Sequence, residues 1–225
     1  MRTRRTGVQR SKFPALQVLE RCVAPIFWLK IFVSYQLATG VFFWKCTSEV
    51  LTVLRMSALP YKIATLLYAF NERDEVLLLE RAQEPNRGLW SPPGGKLKTE
   101  SGEAPHACAA RELGEELGVC LAPTDFHLTG LVSEHGYAGQ AHWLMFLFEV
   151  GPRLRVLPPP HREGRFAFWR RDQLTGLALP ATDRDRIWPL FWQHRRGFFA
   201  AHCHCHADGR YDWSVMETRA FLEAK

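Results

Sequence analysis

The chain has 225 residues, 47% of them hydrophobic and 23% charged, enough to bury one ordinary globular core with some chain left over. Its formal charge of +6 invites a nucleic-acid partner, but residues 1–55 carry nine Lys/Arg against two acids and residues 56–225 carry twenty against twenty-one. The region that reads as folded domain is therefore close to neutral, and no basic patch interleaved with aromatics remains there to bind a polyanion.

The six cysteines (Cys22, Cys46, Cys108, Cys120, Cys203, Cys205) are sparse and irregularly spaced. That spacing argues against a disulfide framework and for a reducing, cytoplasmic setting. In the extension, residues 1–55, Val23 to Trp44 is about long enough to cross a bilayer, with Lys30 its one charge and Arg2, Arg4, Arg5, Arg10 and Lys12 before it. A membrane anchor, a packed helix and a start site at Met56 all fit this segment. A dispensable extension is the favoured reading, with the domain assigned to residues 56–225.

From Lys62 the pattern turns regular. Lys62 to Phe70 and Glu75 to Arg81 read as strands, and the polar Asn71 to Asp74 between them predicts a hairpin. Asn86 to Gly95 brings a short strand into a Pro/Gly loop. Ala104 to Leu117 reads as a helix, with Pro105 in its first turn and Gly118 as its stop. Phe126 to Ser133, His142 to Val150 and Arg165 to Trp169 read as strands, and Thr182 to Arg196 as a terminal helix. Mixed strands with two helices predict an α/β sandwich.

On the first helix Glu112, Glu115 and Glu116 stand at i, i+3 and i+4 and share one face, while Ala109, Ala110, Leu113 and Leu117 take the other. Like charges at that spacing repel. A solvated acidic face is the plain alternative, but a glycine-rich loop feeds this helix and hard divalent cations take oxygen ligands. Arg111-Glu112-Leu113-Gly114-Glu115-Glu116-Leu117-Gly118-Val119, with Glu103 eight residues upstream of Arg111, resembles the Nudix box. The one departure is Leu97 where the box has glycine. Gly95 lies two residues further up, so the loop from Lys96 to Gly102 carries a two-residue insertion.

The resemblance covers roughly residues 60–195 and implies a Nudix-type α/β/α sandwich with a mixed β-sheet, a C-terminal hairpin and the N-terminal extension. It implies Mg²⁺, or Mn²⁺ in its place, held by Glu112, Glu115 and Glu116. Arg111 would orient these carboxylates through Glu103, and the Gly95 carbonyl is a further candidate ligand. The implied chemistry is hydrolysis of a phosphoanhydride in a nucleoside diphosphate derivative, with charge neutralised on the phosphate oxygens. One carboxylate would serve as general base. Glu163 and Glu134, acids in polar loops beside strands, are the candidates, and Glu115 is assigned to catalysis as well as to the metal.

For substrate binding the candidates are Gly95, Lys96, Trp90 and Tyr137, the two rings as stacking platforms, with core packing and a surface turn as their plain alternatives. The favoured substrate is a nucleoside triphosphate, oxidised forms included. ADP-ribose or dinucleotide hydrolysis and a non-catalytic nucleotide sensor are the alternatives. Expected partners are a small nucleotide and at most a second copy in a homodimer, with no nucleic acid and with membrane contact through residues 23–44 not favoured. His202 to His206 alternates His and Cys, which on a strand puts three His on one face and two Cys on the other. Ala207-Asp208-Gly209-Arg210 then reads as a hairpin turn. With no CxxC or HxxxH partner in the chain, tightly bound zinc is not expected there.

Overall fold

Side-chain alternation along two strands decides the architecture. In β1 (Tyr61–Tyr68) and β2 (Val76–Arg81), successive residues point to opposite faces, and both faces are buried. Tyr68, Phe70, Val76 and Leu78 enter one core, and Leu67, Ala69, Leu77 and Leu79 enter a second. Burial on both faces is why these runs are almost continuously apolar in sequence. The computed structural model describes residues 59–84, 86–160 and 162–221. The extension, with Val23 to Trp44 and Met56, lies outside the described residues.

A five-stranded mixed sheet has the order β1-β5-β4-β7-β8, with β4 Phe126–Tyr137, β5 Ala141–Val150, β7 Phe198–Cys205 and β8 Tyr211–Arg219. The β1–β5 and β4–β7 pairs are parallel and the others antiparallel. A three-stranded antiparallel sheet has the order β3-β2-β6, with β3 Trp90–Ser91 and β6 Gly164–Trp169.

The predicted β1–β2 hairpin needs correction. Its tip forms: the Asn71 N–H donates to the Glu75 carbonyl at 3.0 Å and the Leu77 N–H to the Ala69 carbonyl at 2.8 Å. The Asn71 side chain accepts from the Arg73 and Glu75 N–H groups, holding the turn. Beyond the tip the strands part into different sheets. A two-stranded ribbon with two apolar faces would leave much of that surface wet, whereas parting lets each strand gain neighbours and helices cover both faces.

Helix α1 (Pro105–Leu117) starts on Pro105, whose missing N–H costs nothing there, and stops at Gly118, which takes φ +69°. Ala109, Leu113 and Leu117 pack in the second core with Phe148 and Phe166. The terminal helix is shorter than predicted: a π-helical turn (Asp183–Ile187) runs into α2 (Trp188–Gln193). The chain turns at His194 to Gly197, with Arg196 at φ +62°. Phe191 of α2 stacks on Tyr68 with ring centroids 4.0 Å apart, so this helix covers the first core. Helices on opposite faces of the strands complete the α/β/α sandwich. The C-terminal β7–β8 hairpin closes through the predicted turn, where the His206 N–H donates to the Arg210 carbonyl at 2.8 Å. Among the described residues no helix is long and apolar enough to cross a membrane.

Leu113 is wholly buried between α1 and the strands. Leu113→Ala should lower unfolding free energy by about 2–5 kcal/mol in urea titrations, because the lost contacts leave a cavity. A loss well under 1 kcal/mol would show that α1 does not seal the second core.

Candidate active site

The loop before α1 is held against the outer edge of β1. The Thr65 N–H donates to the Gly95 carbonyl at 2.8 Å, the Leu67 N–H to Pro93 at 2.8 Å, and the Leu97 N–H to Ile63 at 3.0 Å. This irregular ladder covers an edge that would otherwise be unpaired. It also brings Gly95 against α1 so closely that a Cβ there would overlap the Glu112 carboxylate. The loop from Lys96 to Gly102 contains a short 3₁₀ turn, Thr99–Ser101. The Gly95 carbonyl accepts from the Thr65 N–H and, at 3.9 Å, from the Cys108 thiol.

Arg111 organises the carboxylates. Its Nε lies 2.7 Å from one Glu103 oxygen and an NH2 group 2.9 Å from the other, a bidentate pair. The remaining terminal nitrogen reaches Glu112 at 2.6 Å and Glu115 at 3.2 Å, and NH2 also donates to the Lys96 carbonyl at 3.2 Å. The Arg111 hydrogen bonds hold the Glu103 carboxyl down to about 2, with help from the Lys98 N–H. Sequence reasoning passed over Lys98. Its backbone bonds Glu103 and its ammonium lies 3.9 Å from Glu115, and the signal was a cation inside the inserted loop.

The three helix carboxylates are not equivalent. Glu115 is exposed, Glu112 half-buried and Glu116 buried. A solvated acidic face, the plain alternative for this helix, does not describe Glu116. Its position in the last turn of α1 turns it under the loop, where the Gly94 N–H donates to it at 3.1 Å. Burial, then repulsion from Glu112 and Glu163, pushes the Glu116 carboxyl up to about 8, with Arg81 pulling the other way. Burial also raises Glu112. Crowded carboxylates with raised pKa values form an oxygen-rich, charge-hungry donor set, the chemistry that fits a hard divalent cation.

The two candidate bases separate. Glu163, just before β6, is within electrostatic reach of Glu112 and Glu116. Glu134 instead lies opposite Cys203 on β4 and faces Thr182 and Asp183. Trp90 is buried, edge-on to Trp169 at 5.2 Å with Arg165 over its ring, so its position is one of core packing rather than of a free stacking platform. Tyr137 is half-buried at the end of β4, its hydroxyl donating to Asn86 at 2.6 Å. The Lys96 side chain is exposed.

The NUDIX domain family model matches residues 60–191. The chain belongs to the Nudix family. Among curated relatives it is 36% identical over 87 residues to the 8-oxo-dGDP phosphatase NUDT18 of Mus musculus, covering 39% of this chain and 24% of that one. It is 38% identical over 76 residues to the Nudix hydrolase YvcI of Bacillus subtilis, covering 33% of this chain and 45% of that one. The chain thus spans under half the length of these relatives. Among solved structures, a MutT protein from Methanosarcina mazei matches with TM-score 0.52 and 25% identity, over 60% of this chain and 96% of that one. A Bacillus halodurans MutT protein matches with TM-score 0.54 and 24% identity, over 68% and 97%, which speaks for the Nudix fold.

Because Gly95 leaves room for the Glu112 carboxylate, Gly95→Ala should displace that side chain without unfolding the domain. Mn²⁺ titrations followed by electron paramagnetic resonance should show binding weakened about tenfold or more. Native affinity in a folded variant would place the metal away from Glu112.

Proposed function

We propose that this Nudix protein is a Mg²⁺-dependent pyrophosphohydrolase that cleaves a phosphoanhydride bond of a nucleoside triphosphate, oxidised forms included. The observation that carries the reading is the convergence of Glu112, Glu116 and Glu163, with Glu112 held by Arg111 and Glu116 by the Gly94 N–H. Glu112, Glu115 and Glu116 would hold Mg²⁺, or Mn²⁺ in its place. The bound ion would supply charge neutralisation at the phosphate oxygens and a more acidic water. Arg111 keeps Glu112 and Glu115 oriented while Glu103 keeps Arg111 in place. Glu163 is the acid best placed to accept a proton from an attacking water, since it lies off the helix, just before β6, within electrostatic reach of Glu112 and Glu116. The likeness to a curated 8-oxo-dGDP phosphatase supports a nucleotide carrying an oxidised base, over the part of the chain that the likeness spans. Free thiols at Cys108, Cys120, Cys203 and Cys205 suit a reducing, cytoplasmic setting.

With Mg²⁺ and a panel of nucleoside triphosphates, oxidised triphosphates and ADP-ribose, products read by mass should include a nucleoside monophosphate and pyrophosphate. Glu115→Gln and Glu116→Gln should each lower kcat by about 10²-fold or more, because each loosens the hold on the cation that would balance charge in the transition state. Turnover of ADP-ribose alone would move the substrate class. Nucleotide binding without turnover would make the domain a sensor, and near-full activity in both variants would remove the carboxylate assignment.

A further inference from the structure

The alternating run at the end of β7 has two chemically distinct faces. His202 and His204 point outward and are exposed: the Ser133 hydroxyl is 2.8 Å from His202, and the His204 ring lies 4.5 Å from that of His135. Cys203 points inward and is wholly buried, with its Sγ 3.8 Å from that of half-buried Cys205. The parallel register of β4 places Glu134 opposite Cys203. One ligand atom from each of Glu134, Cys203 and Cys205 lies within 4.8 Å of the other two.

We propose that Cys203, Cys205 and Glu134 form a site for a thiophilic d¹⁰ dication, Zn²⁺, separate from the oxygen-rich cluster on α1. The geometry is suitable before any metal binds. Two sulfurs about 2.3 Å from a tetrahedral zinc lie about 3.8 Å apart, the spacing found here. A buried carboxylate is costly unless it is neutralised, and the groups around Glu134 include Thr182, Asp183, Tyr137 and the two thiols, none of them a cation. Zn²⁺ would offset two of the three negative charges that Glu134 and the two thiolates carry once each thiol has released its proton on binding. Cys205 is only half-buried, so the cluster is open to solvent on that side, where water would supply a fourth ligand. Soft sulfur donors select against Mg²⁺. The expectation of no tight zinc counted ligands from β7 and from CxxC or HxxxH pairs, and Glu134 comes from neither.

The test uses the full-length protein, reduced and stripped with a chelator, and titrated with Co²⁺. A thiolate-to-cobalt charge-transfer band should saturate at about one ion per chain, resist excess Mg²⁺ and be displaced by Zn²⁺. Zinc should protect Cys203 and Cys205 from alkylation, read by peptide mass on the unmutated protein, so the result does not depend on a variant folding. Cys205→Ser should abolish the band, Glu134→Gln should weaken binding about tenfold, and His204→Ala should leave it unchanged. Absence of the band, its survival in Cys205→Ser, protection confined to other cysteines, or a loss in His204→Ala would each overturn the assignment.

Discussion

One guanidinium holds the carboxylate cluster together. Glu103, Glu112 and Glu115 would repel one another if drawn to the same place, and Arg111 contacts all three while also bonding the Lys96 carbonyl. Its planar fork allows this, since the edge that grips both Glu103 oxygens still leaves donors for the helix face. A lysine would offer the same charge without the geometry. Glu116, beyond its reach, depends instead on the Gly94 N–H, and there burial and repulsion win, lifting the carboxyl to about 8.

That cluster was legible because its information is local. A helix fixes the relation of residues three and four apart, so Glu112, Glu115 and Glu116 could be placed on one face from spacing alone. The Pro105 start and the Gly118 stop rest on equally local rules. What failed was non-local. The turn at Asn71 correctly reads as a hairpin tip, but no rule within that segment says that β1 will continue beside β5 and β2 beside β6. Glu163 and Glu134 looked alike in sequence, as acids in polar loops. Only sheet membership separates them, sending one toward α1 and the other toward β7.

The burial of Glu116 has the same origin. A helical wheel gives its angular position but not the height of the loop packed above it. The closeness of that loop depends on Gly94 and Gly95: a Cβ at Gly94 would collide with the Thr65 carbonyl and one at Gly95 with Glu112. The glycines thus act through what they leave empty. The turn at Thr99–Ser101 follows these glycines in the chain and lies outside both close approaches.

The sheet order also keeps two kinds of donor apart. The oxygen-rich cluster abuts the outer edge of β1, and the inward cysteines lie on β7, with β5 and β4 between those strands. Carboxylates and carbonyls favour a hard ion that keeps its waters, whereas paired sulfurs favour a softer one. Had the cysteines pointed outward and the histidines inward, imidazoles would face Glu134, a donor set open to a wider range of first-row metals. Alternation along one strand, fixed by which face joins the core, therefore sets the chemistry available at that end of the sheet.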